Sequence, residues 1–269
     1  MIIDTHVHLF PDKLCPKTIE NLAKTDPNHH LTYYGDGSLG CAEKNMKDWG
    51  VDLGVMLPIA TNPHQQKSVN DFAAYVQDHS DAFISFGTVH PDAPDWQEEL
   101  NRIVEMGFHG IKLHPDYQGF FINEKRLYPM YQAISDRKLP VVFHTGYDPI
   151  SPGCIHATPE AVVEMAKAFP ELTIIAAHTG GLYFGNPPED IYLDTPNVYF
   201  DTAIASYTFD PVVYRRLIDI YGAGRFLFAT DNPWGDAGKD MVFLEAVGLT
   251  SDERELICHE NAERLIGIG

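Results

Sequence analysis

Short apolar runs rich in Val, Ile and Phe recur along the chain, each followed by a longer stretch with helical periodicity. They occupy residues 1–8 (MIIDTHVH), 51–59 (VDLGVMLPI), 83–90 (FISFGTVH), 108–114 (FHGIKLH), 140–146 (PVVFHTG), 172–180 (LTIIAAHTG), 197–203 (NVYFDTA) and 225–231 (RFLFATD). Nearly continuous apolar character, rather than strict alternation, marks strands of a parallel sheet covered by helices. The intervals carry helix signals. Trp96, Leu100, Ile103 and Val104 form one helical stripe. Thr158-Pro159 and Asp210-Pro211 each set an N-cap residue before a proline at the first helical position, and Thr250 and Glu253 have the spacing of a capping box. Eight β-then-α units with no obvious linker predict a (β/α)8 barrel of the TIM type, one domain spanning residues 1–269. An open doubly wound sheet is the alternative, but the glycine-rich turn expected after its first strand is missing.

Two connections break the rhythm. Residues 10–40 are long for a βα connection and hold Pro, Gly and paired aromatics, as expected of a lid or substrate wall; residues 179–190 (TGGLYFGNPPED) are similarly rich in Gly and Pro.

Composition narrows the partners. Hydrophobic residues make up 44% of the chain, enough for a sizeable core, and 38 acidic against 19 basic side chains give a formal charge of −19. That charge repels phosphate backbones and anionic membrane surfaces, so neither nucleic acid nor membrane is an expected partner. It leaves a small-molecule substrate, even an anionic one held by a metal. Cys15, Cys41, Cys154 and Cys258 form no C-x-x-C pair and read as free thiols. No basic leader and no run of about 18 apolar residues is present, so the expectation is a soluble cytoplasmic protein, with self-association into a homo-oligomer left open.

The chemistry gathers at strand ends. Alternation along the first strand puts His6 and His8 on one side and Thr5, Val7 and Leu9 on the other. By the same rule Asp4 points inward too, where it reads as a structural carboxylate. In a barrel the active site lies at the C-terminal ends of the strands. Those ends carry His6, His8, His90, Lys112, His114, His144, His178, Asp201 and Asp231, which include six of the chain's 13 histidines. His6, His8, His144 and Asp231 together offer three imidazoles and one carboxylate, a set suited to one divalent ion with a position left for water. An inward carboxylate among histidines is costly to bury unless a cation compensates it. Lys112, His114 and Trp234 are the candidate substrate contacts. Tyr33, Tyr34, Tyr183 and Phe184 could line the mouth, although an aromatic near a loop is more often packing. His29, His30 and His156 read as solvated, and Arg225 begins a strand, at the wrong end for catalysis.

The motifs DTHVH, GIKLHP, FHTG, AHTGG, ATDNPWG and HENAERLIG, in this order, resemble the amidohydrolase superfamily, specifically the branch of aminocarboxymuconate-semialdehyde decarboxylase and related small metal-dependent hydrolases. The resemblance implies that His6, His8, His144 and Asp231 bind metal and that His178 stands beside the bound water. It also raises a fork at Lys112. Binuclear members carry a carbamylated lysine at the end of strand four, whereas this branch usually manages with one metal, and the one-metal reading is preferred here. The expected reaction is hydrolysis of an ester, lactone or amide by water activated on one divalent ion, Zn²⁺ by its ligands, with Asp231 as proton acceptor and His178 positioning the water. The alternative is non-oxidative decarboxylation of an unsaturated or aromatic acid. Lys112 is the only obvious inward cation, and the lack of an arginine cluster favours hydrolysis. A binding protein on an inert barrel is the third reading, against which the complete ligand set argues.

Overall fold

The computed structural model describes residues 1–25, 32–181 and 189–268. Its strands are β1 (Ile3–Val7), β2 (Leu53–Met56), β3 (Phe83–Ser85), β4 (Ile111–Leu113), β5 (Val141–Phe143), β6 (Ile174–Ala176), β7 (Val198–Asp201) and β8 (Phe226–Leu227). They pair in parallel and in chain order, β1 to β3 in one ladder and β4 to β8 in another. Main-chain hydrogen bonds join the two ladders at both edges. The N–H of His109 donates to Ser85 (3.1 Å), that of Gly87 to Gly110 (2.8 Å) and that of Lys112 to Gly87 (2.7 Å), which links β3 to β4. The N–H groups of Thr5, Asp231 and His8 donate to Phe228 (3.0 Å), His6 (3.0 Å) and Asn232 (2.7 Å), which links β8 to β1. The sheet therefore closes on itself as the (β/α)8 barrel that the apolar runs predict.

Alternating positions sort into two layers. Val55, Phe86, Val142, Ile175 and Leu227 pack with one another inside the barrel, together with Ala262 and Ile266 of the C-terminal helix Asn261–Ile266. Their neighbours Ile111, Phe143, Ile174, Phe200 and Phe228 face the surrounding helices and meet Leu100, Val162 and Tyr214. Register then sets the top layer. Lys112 pairs with Val142, Val142 with Ile175 and Ile175 with Tyr199, so two residues further on His114, His144, Ala177 and Asp201 lie at one height around the barrel.

Strict alternation fails on β1. Ile3 pairs with Leu53, Asp4 with Gly54 and Val7 with Met56, so a bulge lies between Asp4 and Val7. Asp4 shares a side with Gly54, whose added Cβ would meet Phe83 and Met46 of the helix-facing layer. Asp4 thus faces outward, contrary to the inward orientation expected from His6, and accepts hydrogen bonds from the Thr230 N–H (3.0 Å) and hydroxyl (2.6 Å).

The predicted caps form. Thr158 and Asp210 accept from the N–H groups of Ala161 and Val212 ahead of helices Pro159–Ala168 and Pro211–Tyr221, and Thr250 and Glu253 make both bonds of the capping box. In helix Trp96–Glu105, Leu100 and Ile103 are buried but Val104 is 45% exposed. It sits about 100° around the helix from Ile103, past the edge of the stripe. After β6 the described residues hold only a tight turn over 177–180, with left-handed backbone at His178 and Thr179, not a full helical layer. No helix among the described residues is long and apolar enough to cross a membrane.

Candidate metal centre

Strand ends bring His6, His8 and Asp231 together. The Nε2 atoms of His6 and His8 are 3.1 Å apart, and Asp231 Oδ1 lies 3.4 and 3.2 Å from them. Both rings are held by their other nitrogen. His6 Nδ1–H donates to Asp201 Oδ2 (2.8 Å) and His8 Nδ1–H to the Leu57 carbonyl (2.8 Å). A neutral imidazole has one proton and one lone pair, so both Nε2 atoms present lone pairs toward the same carboxylate oxygen. Burial, reinforced by Lys112, holds His6 well below its ordinary pKa and therefore neutral. Two lone pairs facing each other at 3.1 Å beside a carboxylate suit a cation between them. An ion with tetrahedral bonds of about 2.1 Å sets its ligand atoms about 3.4 Å apart, within about 0.3 Å of the three edges.

Backbone strain supports the placement. Asp231 and His178 adopt left-handed φ of 66° and 57°, unusual for residues with a Cβ and concentrated at functional sites. Burial opposes ionisation of Asp231 and positive charge on the His6 and His8 side favours it; with both imidazoles neutral, a cation between the three groups would supply that charge. Lys112, fully buried, brings Nζ to 3.2 Å from His6 Nε2, and burial pushes its pKa down to about 8.

His144 is not part of this close trio. Its Nδ1 lies 3.1 Å from His178 Nε2, and its ring stacks on His114 with centroids 4.2 Å apart. A second group of potential ligands, His114, His144 and Asp148, forms beside the first. His178 is anchored by its N–H to Asp201 Oδ1 (2.7 Å), and its Nδ1 faces the Ala203 carbonyl at 3.4 Å. Trp234 reaches the site through its main chain, whose N–H donates to the Asp231 carbonyl (2.7 Å) and tightens the turn. His90 takes the N–H of Asp92 on Nδ1, and none of its recorded bonds reaches the centre.

A family model described as amidohydrolase matches residues 3–268. The chain belongs to the amidohydrolase family. Its fold is similar to that of an uncharacterized TIM-barrel protein from Bordetella bronchiseptica, at 20% identity and TM-score 0.79, covering 99% of this chain and 98% of that one. It is also similar to 2,6-dihydroxybenzoate decarboxylase complexed with 2,6-dihydroxybenzoate, at 19% identity and TM-score 0.77 over 99% of each chain. A third such structure is 5-carboxyvanillate decarboxylase from Novosphingobium aromaticivorans with bound manganese, at 17% identity and TM-score 0.73 over 100% of this chain and 97% of that one.

As an amidohydrolase, the chain holds more at its centre than the strand-end pattern assigned. Asp201 is a hub: besides His6 and His178, it accepts the Ala203 N–H (3.2 Å). Its signal was its place at the end of β7, but its partners come from β1 and β6. Asp148 lies four residues after His144, in a loop, and burial raises its carboxyl to about 7. His156 is not solvated as expected: it binds the fully buried Asp116 through Nδ1 (2.8 Å) and stacks on Phe121. Tyr33 is exposed, whereas Tyr34 packs on the loop after β8, its N–H donating to the Pro233 carbonyl (2.7 Å) and its hydroxyl accepting from Lys239 (2.7 Å). His29, His30, Tyr183 and Phe184 lie outside the described residues.

Proposed function

We propose that the centre hydrolyses an ester, lactone or amide bond of a small uncharged molecule, with one divalent ion, Zn²⁺, held by His6, His8 and Asp231 and with His144 as the further ligand. When bound, such an ion supplies Lewis acidity and lowers the pKa of a coordinated water toward neutrality. Asp231 accepts the proton of the attacking water and returns it to the leaving group. His178, fixed by Asp201 and the Ala203 carbonyl, offers Nε2 to orient that water. The Lys112 ammonium lies beside His6 and favours negative charge developing on the substrate oxygen.

One observation carries the hydrolytic reading. Among the described residues Lys112 is the only buried Lys or Arg, and it is already engaged at His6, while Asp148, Asp201 and Asp231 are gathered around it. With a divalent ion bound, the ion and Lys112 together only balance these three carboxylates, so little surplus positive charge is left to hold a substrate carboxylate. The second reading, non-oxidative decarboxylation of an unsaturated or aromatic acid, draws support from the same lysine taken as a carboxylate anchor, and from the decarboxylases that share the fold.

Asp231→Asn tests the role of the carboxylate. It should keep the fold and much of the bound metal while turnover of the best substrate falls by about 10³-fold, the usual weight of a general base. A fully active, metal-loaded Asp231→Asn enzyme would sink the assignment. Ester, lactone and amide cleavage assayed beside CO2 release across a panel of small acids separates the two reactions.

A further inference from the structure

The second group of ligand-like residues is decided by its protons. The Tyr117 N–H donates to His114 Nδ1 (3.4 Å), so that nitrogen carries the lone pair and His114 Nε2 carries the hydrogen. That hydrogen points at Asp148 Oδ2, 3.5 Å away. His144 lies parallel to His114, 9° between the planes, and turns its own Nε2 to the same oxygen at 3.6 Å. His144 is 6% exposed, its Nε2 has no formed hydrogen bond, and the Tyr147 main chain competes with Asp148 for a ring hydrogen of His144. Asp148 Oδ1 is taken by the Ile150 N–H (2.8 Å), which leaves Oδ2 to the two imidazoles. Both separations are longer than a formed hydrogen bond and close to one with a shift of about 0.5 Å.

We propose that Asp148 is a positioning residue: its Oδ2 takes the Nε2 hydrogens of His114 and His144 and thereby turns the Nδ1 lone pair of His144 toward His178 and the metal centre. His178 Nδ1 faces the Ala203 carbonyl, so its Nε2 also presents a lone pair, 3.1 Å from His144 Nδ1. This repeats the His6–His8 arrangement, and the two pairs of nitrogens open on a common space, with the His6 and His178 rings 5.4 Å apart. A carboxylate behind a ligating histidine fixes its tautomer and its orientation. The same trio cannot serve as a second cation site in this state, because His114 would need a lone pair on both nitrogens. The inference uses the metal reading of the centre but stands whichever bond is broken there.

The test uses the full-length chain, labelled with ¹⁵N, metal-free and with Zn²⁺. Long-range ¹H–¹⁵N correlations should show His114 and His144 protonated on Nε2 in the wild type. Asp148→Asn, whose single carbonyl oxygen is shared between the Ile150 N–H and the imidazoles, should weaken the preference for that tautomer at His144, and Asp148→Ala should give a mixture. In chelator competition, Zn²⁺ affinity should fall about 10- to 100-fold in Asp148→Ala and less in Asp148→Asn, with unchanged circular dichroism. Wild-type His144 protonated on Nδ1, or unchanged affinity in a folded Asp148→Ala, overturns the proposal. So does a second equivalent of bound Zn²⁺ that disappears in Asp148→Ala while the first persists. Should Asp148→Ala fail to fold, the wild-type tautomer and Asp148→Asn decide. These readouts do not involve turnover, so they fail or hold independently of the hydrolytic assignment.

Discussion

At the scale of single residues, the centre depends on groups that never face the substrate. Asp201 holds the His6 ring, the His178 main chain and the Ala203 N–H with one buried carboxylate. Replacing it by Ala strands three buried donors, each costing about 1–3 kcal/mol, partly recovered by relaxation. Asp201→Ala should therefore lose about 3 kcal/mol in urea unfolding and also bind Zn²⁺ about tenfold more weakly, because His6 is free to rotate. Stability lost without any change in affinity would make Asp201 a fold anchor only. The contrast with His6 and His8 shows what a sequence discloses. Two histidines on one strand announce a shared direction through period two alone. Asp201 and Asp148 act on side chains from other strands or across a loop, and no local spacing records that. Even on β1 the rule failed at Asp4, where one bulge reversed the side.

At the scale of elements, caps and strand identities were legible because they rest on neighbours in sequence, whereas end geometry was not. The left-handed backbone at His178, Thr179 and Asp231 is set by the barrel rim and has no glycine to announce it. The capping box before helix Ser251–Glu255 shows how a local device gains a distant partner. Glu253 accepts from the Thr250 N–H (2.9 Å) and takes both terminal nitrogens of Arg215 at 2.9 and 2.8 Å. Arg215, with the Thr250 bonds, pulls its carboxyl down to about 2 from 4.5. A depressed folded pKa stabilises above the unfolded value and the benefit is lost as pH falls through the folded one. Glu253→Gln should thus be less stable than wild type by about 1 kcal/mol at pH 7. The gap should narrow from about pH 4.5 downward and vanish near pH 2, followed by denaturant titration at each pH. A gap independent of pH would mean that the charge contributes nothing.

At the scale of the whole molecule, the centre sits where the barrel's first and last strands meet. His6 lies on the first strand and His8 one residue past it, Asp231 follows the last strand, and these strands are joined by the isolated pairing of Val7 with Asn232 and a few main-chain hydrogen bonds. The apolar runs foretold that eight strands would close, but not that the closing seam and the ligand set would coincide; that follows from barrel order, in which the last strand must lie beside the first. An ion bound by all three residues is a clasp across this seam and selects the closed barrel over the unfolded chain. At a free Zn²⁺ concentration 100 times its Kd, the folded state gains about 2.7 kcal/mol, or several degrees in Tm for a chain of this size. Calorimetry with Zn²⁺ and after chelation should show that shift in the wild type and lose most of it in the His6→Ala/His8→Ala double variant. Hydrogen exchange should report where the gain arises. The amides of Thr5, His8 and Asp231, which bridge β1 and β8, should slow on metal addition more than those of His109 and Lys112 at the opposite seam. Equal slowing at both seams would mean that the ion stabilises the barrel generally, and the clasp across its first and last strands would then be wrong.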